Sequence, residues 1–156
     1  MRILITNDDG IASPAIPLLI RWAHKRLSAY SPRITVIAPK VEQSGKSQAI
    51  EIQKKVEYKQ YLPALESFLS ADDRPDVEIY SLDSTPADCV RFAVLTSKEK
   101  GDEDFDLVIS GINRGFNLGN DIAYSGTCGA IFEAARHGIN AIAFSSDGFS
   151  LSSPRP

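Results

Sequence analysis

The chain has 156 residues, 43% of them hydrophobic and 24% charged, with a formal net charge of −3 and an isoelectric point near 5.4. That make-up is one soluble globular domain and excludes a disordered tail, a fibre and a membrane protein. With 17 basic against 20 acidic residues and no long run of either sign, it argues against a surface for nucleic-acid polymers or acidic membranes. Single nucleotides stay open, because a pocket needs only local positive charge.

In chain order, Ile3 to Thr6 is short, apolar and β-branched, and Asn7-Asp8-Asp9-Gly10 cuts it off. That is the pattern of a buried strand ending in a turn. Pro14 to about Leu27 fits a helix, with Ser13 as N-cap and Pro14 at the first helical position. Arg33 to Ala38 is a second continuous apolar strand, so the unit predicts two parallel strands buried on both faces and joined by a right-handed crossover. Pro39 to Gln48 reads as a polar loop and Ala49 to Tyr58 as a more exposed strand; Gln60 to Pro75 has no clear pattern.

Val77 to Ser81 is a strand, followed by a helix from Thr85-Pro86 to about Thr96 with Thr85 as cap, and then a charged turn from Lys98 to Asp104. Phe105 to Ser110 is the next core strand, and Gly111 to Asp121 a glycine- and asparagine-rich loop. A helix from about Thr127 to His137, closed by Gly138, leads to the last strand, Ile139 to Phe144. The expected architecture is α/β: a three-layer, mainly parallel, doubly wound (Rossmann-like) sheet formed by residues 1–148, with 149–156 as a frayed tail. About two thirds of the unfolded surface can be buried at this size, so any metal would serve chemistry rather than folding. Cys89 and Cys128 are expected as buried reduced thiols. The N-terminus turns acidic at Asp8, too early for a signal peptide, and no long apolar run follows. The expected location is the cytoplasm.

In such sheets the ligand crevice lies beyond the carboxyl ends of the strands. Three of the loops there are polar: Asn7 to Gly10, Ser44-Gly45, and the stretch with Asn113, Arg114, Asn117 and Asp121. Adjacent Asp8 and Asp9 at the end of a buried strand repel one another and lose hydration, a cost that a hard divalent ion offsets. Oxygen donors suit Mg²⁺ or Mn²⁺, and the absence of nearby histidine or cysteine disfavours zinc. Tyr124-Ser125-Gly126-Thr127 precedes a helix whose N-terminal amides form an anion seat facing the same crevice. Cation and anion seats together point to phosphate chemistry; the plain alternative is that these residues only form turns and helix caps.

Two lookalike motifs fail. Ser44-Gly45-Lys46-Ser47 resembles the tail of a P-loop, but Lys40 occupies the earlier glycine position. Gly111, Gly115 and Gly119 do not have the dinucleotide-binding spacing. Adjacent aspartates also lack the spacing of a phosphoaspartate enzyme. His137 reads as a helix C-terminal residue and His24 as a surface one, neither following a strand.

The motifs taken together resemble the SurE family of survival-protein nucleotidases. The resemblance is carried by Ile3-Leu4-Ile5-Thr6-Asn7-Asp8-Asp9-Gly10, Ala38-Pro39 with Gln43-Ser44-Gly45, Ser84 to Val90, Ser110 to Gly115 with Asn117, Gly119 and Asp121, and Tyr124 to Thr127. It implies a metal-dependent phosphomonoesterase for nucleoside 5′- and 3′-monophosphates or other small phosphate esters, and a homo-oligomer. It further implies one Mg²⁺ or Mn²⁺ per subunit, held by Asp8, Asp9, Ser44 and Asn113, and a phosphate held by Asn117, Ser125, Gly126 and Thr127. Asp8 or Asp9 would take the proton of the attacking water. Lys40-Val41 and Cys128 depart from the family pattern. Family members also continue well past the strand ending at Phe144, with an extended hairpin used in assembly and part of the active-site wall. The resemblance therefore implies a C-terminally short form, and sets beside the nucleotidase a second reading: a metal- or nucleotide-binding fragment without turnover.

Overall fold

The computed structural model describes residues 1–51, 57–61 and 76–147. Strand β1 (Arg2–Thr6) is buried from Ile3 onward, which a strand tolerates only with both faces covered. Alternation along it sends Ile3 and Ile5 to one face and Leu4 to the other. On the first face, helix α1 (Ala15–Arg26) packs Ile16, Leu19 and Ile20 with Ile3, Ile5 and Val36. On the second, helices α2 (Pro86–Lys100) and α3 (Gly126–Arg136) bring Val90, Val94, Ala130 and Ala134 against Leu4, Ile37 and Val108. Each fully buried Leu, Ile or Val contributes about 1.5–3 kcal/mol before chain entropy is counted. These two apolar layers around one sheet are the core.

The remaining strands are β2 (Arg33–Pro39), β3 (Tyr58–Gln60), β4 (Val77–Leu82), β5 (Leu107–Arg114) and β6 (Asn140–Ser146). The sheet order is β3-β4-β2-β1-β5-β6. All neighbours run parallel except β3, which lies antiparallel on β4 with Tyr58 opposite Leu82. From β1 the chain winds outward through β2 and β4, then returns to β5 and β6 on the other side. The winding reverses between β1 and β5, so the crevice for a ligand opens beyond their carboxyl ends. The expected three-layer, mainly parallel α/β class is the one observed. Cys89 and Cys128 are both buried and free, as expected. Among the described residues no helix is long and apolar enough to cross a membrane.

Element ends differ from the sequence reading for identifiable reasons. Helix α1 begins at Ala15, with Pro14 as N-cap rather than first helical residue. Ser13 still accepts from the Ala15 N–H at 3.3 Å. Thr85 caps α2 as expected, accepting from the Asp88 N–H at 3.1 Å; such a cap is worth about 1 kcal/mol. Helix α2 continues past Thr96 to Lys100, because its polar last turn lies on the surface and Gly101 ends it at φ +71°. The loop expected from Gly111 begins later, since β5 runs on to Arg114 across a bulge between Ser110 and Asn113. Helix α3 starts one residue early, at Gly126. Of the exposed strand expected over Ala49–Tyr58, residues 49–51 are not in a strand, 52–56 lie outside the described residues, and pairing starts at Tyr58. Most of the patternless stretch and the expected tail at 149–156 also lie outside them.

The core makes one pH-dependent contribution to stability that can be assigned. Burial pushes the Cys89 thiol far above its ordinary range; the Thr6 hydroxyl opposes this in part and the charge of Asp88 adds to it. In the unfolded chain a thiol ionises near about pH 8.5, whereas the native one stays protonated. Above that pH the unfolded state holds fewer protons than the native state, so native stability falls as pH rises. Urea-unfolding free energies of the wild type and Cys89→Ala, followed from about pH 7.5 to about pH 10, are expected to fall more steeply with pH in the wild type. Parallel curves that differ only by a constant offset would reject this assignment.

Candidate active site

The turn after β1 is built by Asn7. Its fully buried side chain donates Nδ2 to the Gly10 carbonyl at 3.0 Å and accepts the Gly10 N–H on Oδ1 at 3.1 Å. Gly10 takes φ +94°, a conformation that strains residues with a side chain, and a Cβ there would press on the Val41 and Glu42 backbone at 3.1 and 3.3 Å. The clamp fixes Asp8 and Asp9 between its ends. Asp8 points back into the protein: Thr127 Oγ1 donates to its Oδ1 at 2.6 Å, and a Cβ at Gly126 would lie 2.9 Å from its Cβ. The first turn of α3 therefore rests directly on Asp8.

Asp9 faces outward, into an open pocket of about 350 Å³ that Glu42, Ser44, Asn113 and Arg114 also line. Gln43 N–H donates to the Asp8 carbonyl at 2.7 Å, tying the loop after β2 to the turn after β1. The same loop is held to the approach of α3, where Ser47 N–H donates to the Tyr124 carbonyl at 3.0 Å and Ser47 Oγ to the Ala123 carbonyl at 2.6 Å. Three loops distant in sequence thus meet at the switch point of the sheet.

The electrostatics of the two acids explain what the site can hold. Burial raises the Asp8 carboxyl above its ordinary range, opposed by donors from Thr127 and by its own backbone, and Glu42 adds to the rise. Asp9 is raised as well, by burial first and by the charge of Asp8 second, with Arg114 opposing through its charge and its backbone N–H. The protein alone therefore disfavours two negative charges here, and a dication would relieve that. The neutral donors are arranged to match. Ser44 Oγ donates to Glu42 Oε1 at 2.6 Å, leaving its lone pairs to accept. Asn113 spends Nδ2 on the Gly115 carbonyl at 2.9 Å, leaving Oδ1 to accept. Among the described residues no three His, Cys, Asp or Glu side chains converge to hold a metal. Two carboxylates with neutral oxygens remain, a set that fits Mg²⁺ or Mn²⁺.

On the anion side, Ser125 is the N-cap of α3 and accepts the Cys128 N–H at 3.1 Å. The Thr127 hydroxyl, fully buried, is committed to Asp8. Asn117 Nδ2 is buried with no partner among the described residues, and the Asn117 backbone N–H reaches Ser145 Oγ at 3.5 Å. An unspent buried donor is costly unless something accepts it. The two histidines do not line the pocket. His137 closes α3 and meets Glu133 Oε1 at 3.2 Å; His24 is half-buried with Nε2 out of contact with solvent, not on the surface as expected. A larger pocket of about 480 Å³ lies at the opposite end of the sheet, beside Arg2, Arg33 and Asp76, and none of the predicted site residues lines it. Glu42 is the part of the site that the sequence does not single out; Asn7 and Arg114 fall in the expected crevice loops, but without an assigned role. The Asn-x-x-Gly spacing of the turn is a legible signal for Asn7.

A doubly wound α/β protein with an acidic crevice at the reversal of its winding is the class this arrangement defines. The chain belongs to the SurE family: the profile described as Survival protein SurE matches residues 3–154. It is 40% identical over 155 residues to the 5′-nucleotidase SurE of Thermosipho melanesiensis, covering 99% of this chain and 52% of that protein. It is also 40% identical over 147 residues to that of Clostridium beijerinckii, covering 94% and 51%. The crystal structure of the SurE protein from Aquifex aeolicus superposes with a TM-score of 0.71 at 36% identity, over 95% of this chain and 52% of that one. The chain thus spans about half the length of the curated relatives it matches.

The contact between α3 and the loop after β2 can be tested by a substitution with opposing local and tertiary effects. In a free helix, Gly129→Ala stabilises by about 1 kcal/mol. Here a Cβ would collide with the Ser47 carbonyl, at 2.6 Å from its carbon and 3.1 Å from Gln48 N. Gly129→Ala is expected to lower the thermal midpoint by several degrees, corresponding to a loss of about 1–3 kcal/mol. A raised midpoint would show that the loop does not rest on the helix.

Proposed function

We propose that this chain carries the catalytic half of a metal-dependent phosphomonoesterase acting on nucleoside 5′- and 3′-monophosphates. The observation that carries the reading is Asp9 facing the same pocket as Ser44 and Asn113, with Asp8 locked behind it on the first turn of α3. Family membership and the names of the relatives support it. Asp8, Asp9, Ser44 and Asn113 would hold Mg²⁺ or Mn²⁺, whose positive charge, when bound, polarises the phosphoryl group and acidifies water.

The chain's own residues divide the remaining work. Asn117, whose side-chain Nδ2 has no acceptor among the described residues, and the Gly126 N–H at the start of α3 hold the phosphate and favour the charge that builds on it in the transition state; the Ser125 N–H is taken by the Asp121 carbonyl at 3.0 Å and Thr127 by Asp8. Thr127 acts through Asp8, fixing it by the hydrogen bond to Oδ1. Asp9, open to the pocket where Asp8 is locked behind it, is the proton acceptor. Water oxygen bonds to phosphorus and its proton passes to Asp9. The ester P–O bond breaks with its electron pair on the leaving oxygen, which takes up a proton from solvent, giving nucleoside and inorganic phosphate. No covalent enzyme intermediate is needed. The buried free thiols suit a reducing, cytoplasmic setting, and assembly into a homo-oligomer is proposed by analogy with the family.

The half-length coverage of the relatives favours a second reading, binding without turnover. Phosphate release from AMP and from a 3′-monophosphate, measured with Mn²⁺, with excess chelator, and in Asp9→Asn, separates the two. The nucleotidase reading expects release that chelator abolishes and that Asp9→Asn lowers at least about a hundredfold. Mn²⁺ binding with no release would establish the second reading. Release indifferent to both chelator and substitution would reject the metal site.

A further inference from the structure

Arg114, which opposes the rise of the Asp9 carboxyl, has no part in the reading above. Arg114 ends β5 and is the one basic residue among those lining the pocket of Asp9, Glu42, Ser44 and Asn113. No hydrogen bond or ion pair to a described residue engages its guanidinium. Its backbone is fixed by the β5 bulge, which sets Asn113 opposite Ser145 and Arg114 opposite Ser146. An exposed arginine is ordinarily just solvated surface. This one lines the same pocket as the carboxylates of Asp9 and Glu42.

Charge balance shows what it does there. Asp8, Asp9 and Glu42 lie within electrostatic reach of one another; set against one dication, their three charges leave one negative charge over, which would repel a phosphate dianion on entry. Arg114 brings the crevice to neutrality and offers a planar fork of donors that matches phosphate oxygens. We propose that Arg114 binds a non-bridging oxygen of the substrate phosphate from the β5 side of the pocket that Asp9, Ser44 and Asn113 line. This rests on the phosphomonoesterase reading for the identity of the ligand, but not on turnover.

The test is calorimetric, on the full chain: binding of Mn²⁺ alone, then of inorganic phosphate to the Mn²⁺-loaded protein, for wild type, Arg114→Gln and Arg114→Lys. Losing a charge-assisted contact should weaken phosphate binding at least about tenfold in Arg114→Gln, with part of it restored in Arg114→Lys. Mn²⁺ affinity should stay equal or tighten, because a positive charge beside Asp9 has gone. Opposite effects on cation and anion are what a merely structural arginine cannot produce. Unchanged phosphate affinity in Arg114→Gln, or Mn²⁺ and phosphate weakened together, would overturn the proposal. A wild type that binds phosphate through Arg114 yet releases none from AMP loses the nucleotidase reading and keeps this one. AMP hydrolysis with the same KM in Arg114→Gln does the reverse.

Discussion

The hydrogen bond from Thr127 to Asp8 joins the end of the central strand to the start of a helix 119 residues further on. Neither partner is stable there alone. The carboxyl of Asp8 is buried and raised above its ordinary range, and the amides at the start of α3 lack intrahelical acceptors. Each offsets the cost of the other, and Gly126, having no side chain, lets them approach. With Asp8 held this way, the turn closed by Asn7 and Gly10 leaves Asp9 facing the pocket, which acquires its acid. The placement of every other site residue is relative to this pair.

Much of the fold was legible because its local and global signals agree. The apolar runs of β1, β2 and β5 fit buried parallel strands, and Thr85-Pro86 announces a helix start that the structure keeps. What was illegible has physical causes. The bulge in β5 depends on Gly111, whose φ of +123° sets its backbone against the Phe144 carbonyl. A glycine before an asparagine gives the same sequence signal whether the chain bends within a strand or leaves it. The end of α2 was read four residues early, because Lys98 and Lys100 resemble a surface turn as well as they resemble the last turn of a helix.

For the crevice, the acids at the end of β1 could be picked out from chemistry alone, since two adjacent carboxyls on a buried strand require an explanation. Ser44 could not, because a loop serine has no distinguishing pattern; only family resemblance singled it out, and it lines the same pocket as Asp9. Thr127 was read as a group for the anion, whereas its hydroxyl is directed at Asp8. That distinction needs three dimensions, for sequence shows that a threonine opens a helix but not what lies under it.

The loop after β2 is anchored largely by its main chain, through Gln43 N–H on Asp8 and Ser47 N–H on Tyr124. Such anchors do not depend on which side chains the loop carries. Exposed positions such as Val41 and Lys46 are therefore free to drift without displacing Ser44, so selection can reshape the rim of the crevice while its floor stays in register.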